Sequence, residues 1–330
     1  MPLAWAERIG EISPEEWEDV LSRSLRPSPF LLPDFLLPWA ETFAAGLPQR
    51  FARWAEGGKA GGFLFLYRRA GFGGWELLGG ERVADSLDAL VAAGSEGRFW
   101  AEVSGTSREL LAGGPLSLPN LVEGSPTLSL LPGICRELGI VFRLEETDRS
   151  PFLPLPASFD RYLELLGKKE RHELRRKLRR AAEGDPGLSY RVTGSPEELA
   201  RDFPSFVELH RRSHREKNEF MDDRMADFFH KVAQGFLSSG RLRLAFLRGS
   251  GGDIASAFQI EHNGVLHLYN SGFDPACSGI TPGLALLARC IEDAIGRGLR
   301  EYDFLRGRER YKYDLGGRDR TVYRATLSLH

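Results

Sequence analysis

The chain has 330 residues, 42% of them hydrophobic and 27% charged, with a formal net charge of −2. That composition suits a globular protein with ample core, and the length suits one to three domains, two being the expectation. No apolar run is long enough to cross a bilayer, residues 1–10 lack the basic-then-apolar order of a secretory leader, and Cys135, Cys277 and Cys290 share no spacing that suits a disulfide framework or a zinc site.

In chain order, residues 15–25 read as a short helix, stopped by the prolines at 27, 29 and 33. Asp34 is placed to cap a second helix, 35–45. Strands are expected at 51–55 and 62–68. In the second, Phe63, Phe65 and Tyr67 alternate with Leu64 and Leu66, an apolar run that suits a strand covered on both faces. Residues 86–93 are expected to be helical, 99–103 extended and 129–138 helical. The stretch 150–156, with Pro151, Pro154 and Pro156, cannot be regular helix. It is apolar, so a domain junction that packs down is placed there, giving units 1–150 and 151–330.

The second unit opens with a long helix, 159–182, and a strand at 188–192. Helices 196–215 and 223–238 follow, then three strands, 241–247, 254–261 and 265–270. A helix 282–297, a strand 302–305, a helical turn 309–315 and a last strand 320–329 complete it. The fold class is α/β (α+β): mixed, mostly antiparallel sheets flanked by helices. Charge divides unevenly. Residues 1–150 hold 14 Lys and Arg against 21 Asp and Glu, and residues 151–330 hold 30 against 25. An anionic ligand is therefore expected in the second half.

The order strand, loop, helix at 265–297 is a place to hold an anion, because unpaired N–H groups and the positive end of the helix dipole point at it. Thr281 suits the N-cap, Pro282 the first helical position, and Gly279 and Gly283 allow close backbone approach. Leu284, Leu287, Ala288, Ile291 and Ile295 recur on one helical face. A capped helix without ligand has the same pattern.

Residues 168–180 carry eight Lys or Arg in 13 positions. On a helix Arg175 and Arg179 share a stripe with Lys168 and Arg171, and Arg176 lies on the next, while Leu174 and Leu178 form a narrow apolar seam. A nucleotide sugar, tRNA, a phospholipid surface or a coenzyme phosphate would suit this face; so would solvent. His210 and His214 stand four apart, but no HExxH pattern or third ligand accompanies them and arginines flank them, so no metal is expected.

The order of elements, with Pro29–Pro33, Trp39, 85–87, Ser150-Pro151, 168–180, 269–274, Pro282-Gly283, 302–307 and Tyr311-Lys312, resembles the GNAT acyltransferases. More closely it is similar to the double-GNAT family with a BioF2-like acetyltransferase domain, which includes CelD-type polysaccharide-biosynthesis proteins and is related to the FemABX aminoacyltransferases. The resemblance implies acetyl-CoA or another acyl-CoA as co-substrate, bound at Gly279, Thr281, Gly283 and Leu284. One departure is plain: ordinary GNAT enzymes carry Q/R-x-x-G-x-G/A here, whereas this loop reads Cys277-Ser278-Gly279-Ile280-Thr281-Pro282-Gly283-Leu284.

In the FemABX relatives a lysine in a Gly-x4-Lys context lies close to the reacting acyl group. Gly307 and Lys312 match that spacing, which makes Lys312 the candidate donor to the oxyanion. Asp303, Asp274, Glu261 and Tyr269 are candidates by position for the base that takes the amine proton. Arg175, Arg176, Arg179 and Tyr311 are the candidate substrate contacts.

The implied activity is N-acyl transfer from acyl-CoA to an amine, with an amino sugar, nucleotide sugar or cell-envelope polysaccharide precursor as acceptor. The second unit would hold the catalytic loop and the first would shape the acceptor site in a groove between them. The expected location is cytoplasmic, including the inner face of the membrane. Two other readings stay open: a tRNA-dependent aminoacyltransferase using residues 168–180 on RNA, and a non-catalytic module that binds a nucleotide sugar or partner protein.

Overall fold

The structure is a computed structural model describing residues 3–69 and 71–329. Met1 and Pro2, which open the stretch read for a leader, lie outside the described residues. The chain divides into two compact units, Met1–Arg149 with Arg320–His330, and Ser150–Asp319. Among the described residues no helix is long and apolar enough to cross a membrane.

The first unit is built on an eight-stranded sheet. Along it run Leu3–Ala6, Gln49–Glu56, Lys59–Arg68, Trp75–Leu77, Leu116–Val122, Thr321–Ser328 and Val141–Arg149, and Leu90–Val91 pairs beside Lys59–Arg68. The apolar run is covered on both faces, being buried from Ala60 to Tyr67. Two expectations fail here. Residues 86–93 are not helical, because Leu90 and Val91 extend antiparallel to Phe63 and Gly62. Residues 99–103 are not a strand: they lie in the helix Glu96–Gly105, which buries Phe99, Trp100 and Val103. Those three positions fall on one helical stripe, which a short apolar run does not distinguish from a strand. The helix after Pro27–Pro33 also starts earlier than expected, at Pro33, with Leu32 at the N-cap and Asp34 in the first turn.

The last strand, Thr321–Ser328, was expected to close the second unit. It instead pairs antiparallel with both Leu116–Val122 and Val141–Arg149, burying Val322, Ala325 and Leu327 within the first sheet.

The second unit holds a six-stranded sheet of β1 (Phe152–Pro154), β2 (Ser189–Val192), β3 (Leu242–Gly249), β4 (Gly252–His262), β5 (Val265–Phe273) and β6 (Glu301–Asp303). The spatial order is β1-β6-β5-β4-β3-β2, antiparallel throughout except for the parallel pair β5–β6. Its helices are α1 (Phe159–Leu165), α2 (Lys168–Gly184), α3 (Pro196–Ser213), α4 (Arg215–Phe220), α5 (Asp223–Ser238), α6 (Pro282–Gly296) and α7 (Arg310–Asp314). The single helix expected over 159–182 is broken: Leu166 is extended and buried, and Gly167 takes the N-cap of α2. A glycine inside a helix costs about 1 kcal/mol relative to alanine, so the break falls where helix is weakest.

Leu287, Ala288, Ile291 and Ile295 of α6 pack on Ala255 and Ala257 of β4 and Leu266 and Leu268 of β5. Burying each leucine or isoleucine contributes roughly 1.5–3 kcal/mol, which fixes α6, and hence its N-terminus, against the sheet. A second aromatic cluster joins Phe206 of α3 and Phe229 of α5 to Phe258 and Tyr269 of the sheet.

Candidate active site

The site begins with a strand pair that stops early. Pairing of β5 with β6 covers only Val265, Leu266 and His267 against Glu301, Tyr302 and Asp303. β5 runs on to Phe273, while the chain after Asp303 turns away. Among the described residues, β5 beyond His267 therefore has a strand neighbour on its β4 side alone. Tyr269 is the extra residue of a bulge there, since Phe258 opposes Asn270 and Gln259 opposes Leu268. Bulges of this kind bend a strand and re-aim its side chains.

The departing loop is held by two of the expected catalytic residues. Asp303 Oδ1 accepts from the amide of Leu305 at 2.8 Å, and Leu305 sits at φ 57° while fully packed. Lys312, 2% exposed, donates from Nζ to the carbonyls of Leu305, Arg306 and Gly307 at 3.1, 2.7 and 3.3 Å. The same Nζ lies 3.0 Å from Glu309 Oε2. An ammonium has three N–H donors, and the four oxygens around it already exceed that number. Lys312 is thus a clamp on the 305–307 turn, and its donors are directed at the protein's own main chain.

A cavity of about 270 Å³ lies where β5 continues alone. Ser271, Gly272 and Phe273 of β5 form one side, Thr281 to Leu284 another, and Tyr311 of α7 a third. Thr281 connects a 3-10 turn, Pro275–Ile280, to α6 in a left-handed conformation, φ 49°. Its side chain makes no capping hydrogen bond, so the sequence-expected cap is absent. A β-branched residue in that region is strained by roughly 1–3 kcal/mol. The first intrahelical bond runs from Ala285 N to Thr281 O at 3.1 Å. The amides of Gly283 and Leu284 stand ahead of it, beside the cavity, where a helix leaves its N–H groups without intrahelical partners.

Ser278 also lines this cavity, as do two polar groups that sequence reading missed. Ser256 of β4 is wholly buried, and its Oγ has no hydrogen-bond partner among the described residues. Lys217 of α4 donates from Nζ to Ser271 O at 2.5 Å. Burial draws its ammonium down to about 8; Glu309 opposes that shift and Lys312 adds to it. The available signal was usage: with seven lysines against 37 arginines in the chain, a lone lysine in an arginine-rich stretch stands out.

Behind Lys217 lies His210, 1% exposed, with Nε2 2.9 Å from Asn270 Oδ1. Burial, with Lys217 next, draws it down to about 4, so the ring is neutral. Gly272 makes this packing possible: a Cβ there would stand 2.4 Å from His210 N.

The other expected residues divide. Leu284, Thr281, Gly283 and Tyr311 meet at the cavity, whereas Gly279 is not among its lining residues, and a Cβ at Gly279 would meet nothing within 4 Å. Asp274 accepts from Ala276 N at 3.0 Å, capping the 3-10 turn, and from Arg212 at 3.0 Å. Tyr269 is stacked on Phe229, centroids 4.9 Å apart. Arg175, Arg176 and Arg179 lie on the exposed face of α2, which turns Leu174 and Ala181 inward. Arg176 forms a bidentate pair with Glu173 at 2.9 and 2.7 Å. None of the three arginines lines the cavity. Among the described residues, no cluster of three His, Cys, Asp or Glu side chains is placed to hold a metal ion.

The sequence model described as acetyltransferase (GNAT) domain matches residues 168–313. This segment runs from the start of α2 through the cavity to α7. Residues 168–313 are a GNAT domain. No match is found among curated proteins. Three solved structures share the fold over nearly the whole chain. FemX is 11% identical with a TM-score of 0.69, covering 98% of this chain and 96% of that one. L-PGS from Bacillus licheniformis is 12% identical with a TM-score of 0.58, covering 95% and 91%. A tandem GNAT protein from the clavulanic acid biosynthesis pathway is 16% identical with a TM-score of 0.52, covering 98% of both. The chain as a whole thus has the tandem-GNAT fold, and its GNAT domain contains the cavity, the α6 N-terminus and both lysines.

Proposed function

We propose that this protein is an N-acyltransferase that moves an acyl group from acyl-CoA to an amine. The observation that carries the reading is the cavity at the α6 N-terminus. It combines the Gly283 and Leu284 amides, a buried Ser256 hydroxyl that has no partner among the described residues, and the lone edge of β5. Helix N-termini hold phosphate oxygens, so the pyrophosphate of the donor belongs at Gly283 and Leu284. An unpaired strand edge offers main-chain groups to an extended, amide-bearing chain, and the pantetheine arm is one. The acyl carbonyl would then lie beside β5, near Tyr311 and Lys217. The acceptor is an amino sugar or a related polysaccharide precursor.

Thiol release from acetyl-CoA in the presence of an amine acceptor tests the reading. Gly283→Val should leave a folded protein whose coenzyme-induced thermal shift is largely lost. A Cβ at Gly283 meets Phe273 at 3.3 Å, a tolerable contact, but the added methyls enter the phosphate position. An unchanged shift would remove the loop from the donor site.

One observation favours a second donor. The exposed basic face of α2 suits a polyanion larger than a coenzyme, and an aminoacyl-tRNA would engage it. A salt-sensitive complex with tRNA, and no thiol release from acyl-CoA, would select that reading.

A further inference from the structure

We propose that Lys217 is a further catalytic residue, donating an N–H to the acyl carbonyl oxygen as that oxygen gains negative charge. The inference rests on the acyl-transfer reading and goes beyond it by assigning the oxyanion donor. Three observations carry it. Lys217 lines the cavity where β5 runs on without its second neighbour, beside Ser271 and Gly272. Among the described residues its hydrogen bond goes to Ser271 O, leaving two of three N–H donors for a ligand. Lys312, the lysine implied by the Gly-x4-Lys spacing, has its donors surrounded by three carbonyls and a carboxylate.

Local structure explains the placement. α3 ends at Ser213, and His214 is extended, φ −162° and ψ 149°, before α4 begins. The break turns the chain so that Lys217 reaches back to β5 instead of continuing along α3. The titratable groups around it are neutral His210 from α3, Glu309 and Lys312 from the 305–312 segment, and Tyr311 in the cavity wall.

In the step itself, the amine nitrogen attacks the thioester carbonyl carbon and the C–N bond forms. The carbonyl π pair moves onto oxygen, where the Lys217 N–H receives it. Collapse breaks the C–S bond, the thiolate leaves, and the proton surplus on the new amide nitrogen ends on sulfur. Lys217 begins and ends as the ammonium. Hydrolysis by water passes through the same oxyanion, so acetyl-CoA alone and acetyl-CoA with glucosamine serve as probes.

The test compares wild type, Lys217→Met and Lys217→Arg. Removing one oxyanion donor lowers kcat by ~10²–10³, so Lys217→Met should fall by that amount with a KM change of no more than about threefold. Burial holds the lysine below its ordinary value, so at pH 7 the ammonium is a cost to the fold that methionine removes. Lys217→Met should therefore keep or raise the unfolding midpoint and keep the coenzyme thermal shift. The wild-type rate should fall as pH rises through about 8, as the ammonium is lost. Lys217→Arg should recover part of the rate and show no fall there. An active wild type with Lys217→Met within about threefold in kcat overturns the inference alone. So does a kcat loss accompanied by a lower midpoint and a lost coenzyme shift, which marks a structural lysine. A wild type that releases no thiol from acetyl-CoA with either probe overturns the acyl-transfer reading and the inference with it.

Discussion

Lys312 is held by three main-chain oxygens and one carboxylate, so removing its charge strands all of them. Lys312→Met preserves the aliphatic stem, yet leaves buried carbonyls without donors, each costing about 1–3 kcal/mol. The expected result in urea or guanidinium denaturation is a loss on the order of 3 kcal/mol, with any loss of turnover following from a loosened 305–307 turn. Unchanged stability would contradict the clamp. His210 gives a pH dependence of definite sign. Its folded value is lowered to about 4, so the neutral ring is the form that fits. Its contribution to stability is full above the ordinary histidine value near 6.5 and is lost as pH falls from there toward 4. On the order of 3 kcal/mol is at stake, and His210→Gln should flatten stability against pH across that window. An unchanged slope would show that the ring is protonated in the fold. The resemblance to the FemABX relatives, through their Gly-x4-Lys spacing, brought Lys312 into view as a charge. What it could not show is how many carbonyls converge on Nζ, since those come from the turn that Asp303 and Leu305 form in three dimensions.

At the level of elements, α2 presents a basic face whose role is decided by partner and not by packing. Its apolar seam, Leu174 with Ala181, faces inward, and Arg175, Arg176 and Arg179 face out. Charge reversal at all three should leave stability nearly unchanged, because exposed pairs such as Arg176–Glu173 contribute little. It should raise the KM for an anionic acceptor and flatten its salt dependence. Wild-type kinetics at low salt would assign this face to solvent. Much of this unit was legible in its periodicity. α5 begins at Asp223 and ends at Ser238 as expected, because Asp222 caps it and one apolar stripe runs its length. The stripe on α6 was equally plain. Elements whose conformation depends on a distant partner were not. Leu90 and Val91 are extended because they pair with Gly62 and Phe63, and Phe99 and Trp100 are helical because their stripe meets a sheet. α4 is too short to show a period, and it carries Lys217.

For the molecule as a whole, connectivity is what the sequence concealed. The strand Thr321–Ser328 follows the second unit in the chain but lies between Leu116–Val122 and Val141–Arg149 in the first. Nothing in its alternation names a partner, and about 170 and about 200 residues separate it from the two strands it joins. Two mixed sheets flanked by helices were expected and are present, while the splay between β5 and β6 follows from a register of three pairs that no residue pattern announces. That splay and the α6 N-terminus together form the proposed donor site. The most direct test is a crystal structure of the protein with coenzyme A at saturating concentration. The expected result is a phosphate oxygen about 3 Å from the Gly283 and Leu284 amides, with the pantetheine arm running along β5 beyond His267 toward Lys217. Coenzyme bound elsewhere, or none bound with this cavity open to solvent, would contradict the account.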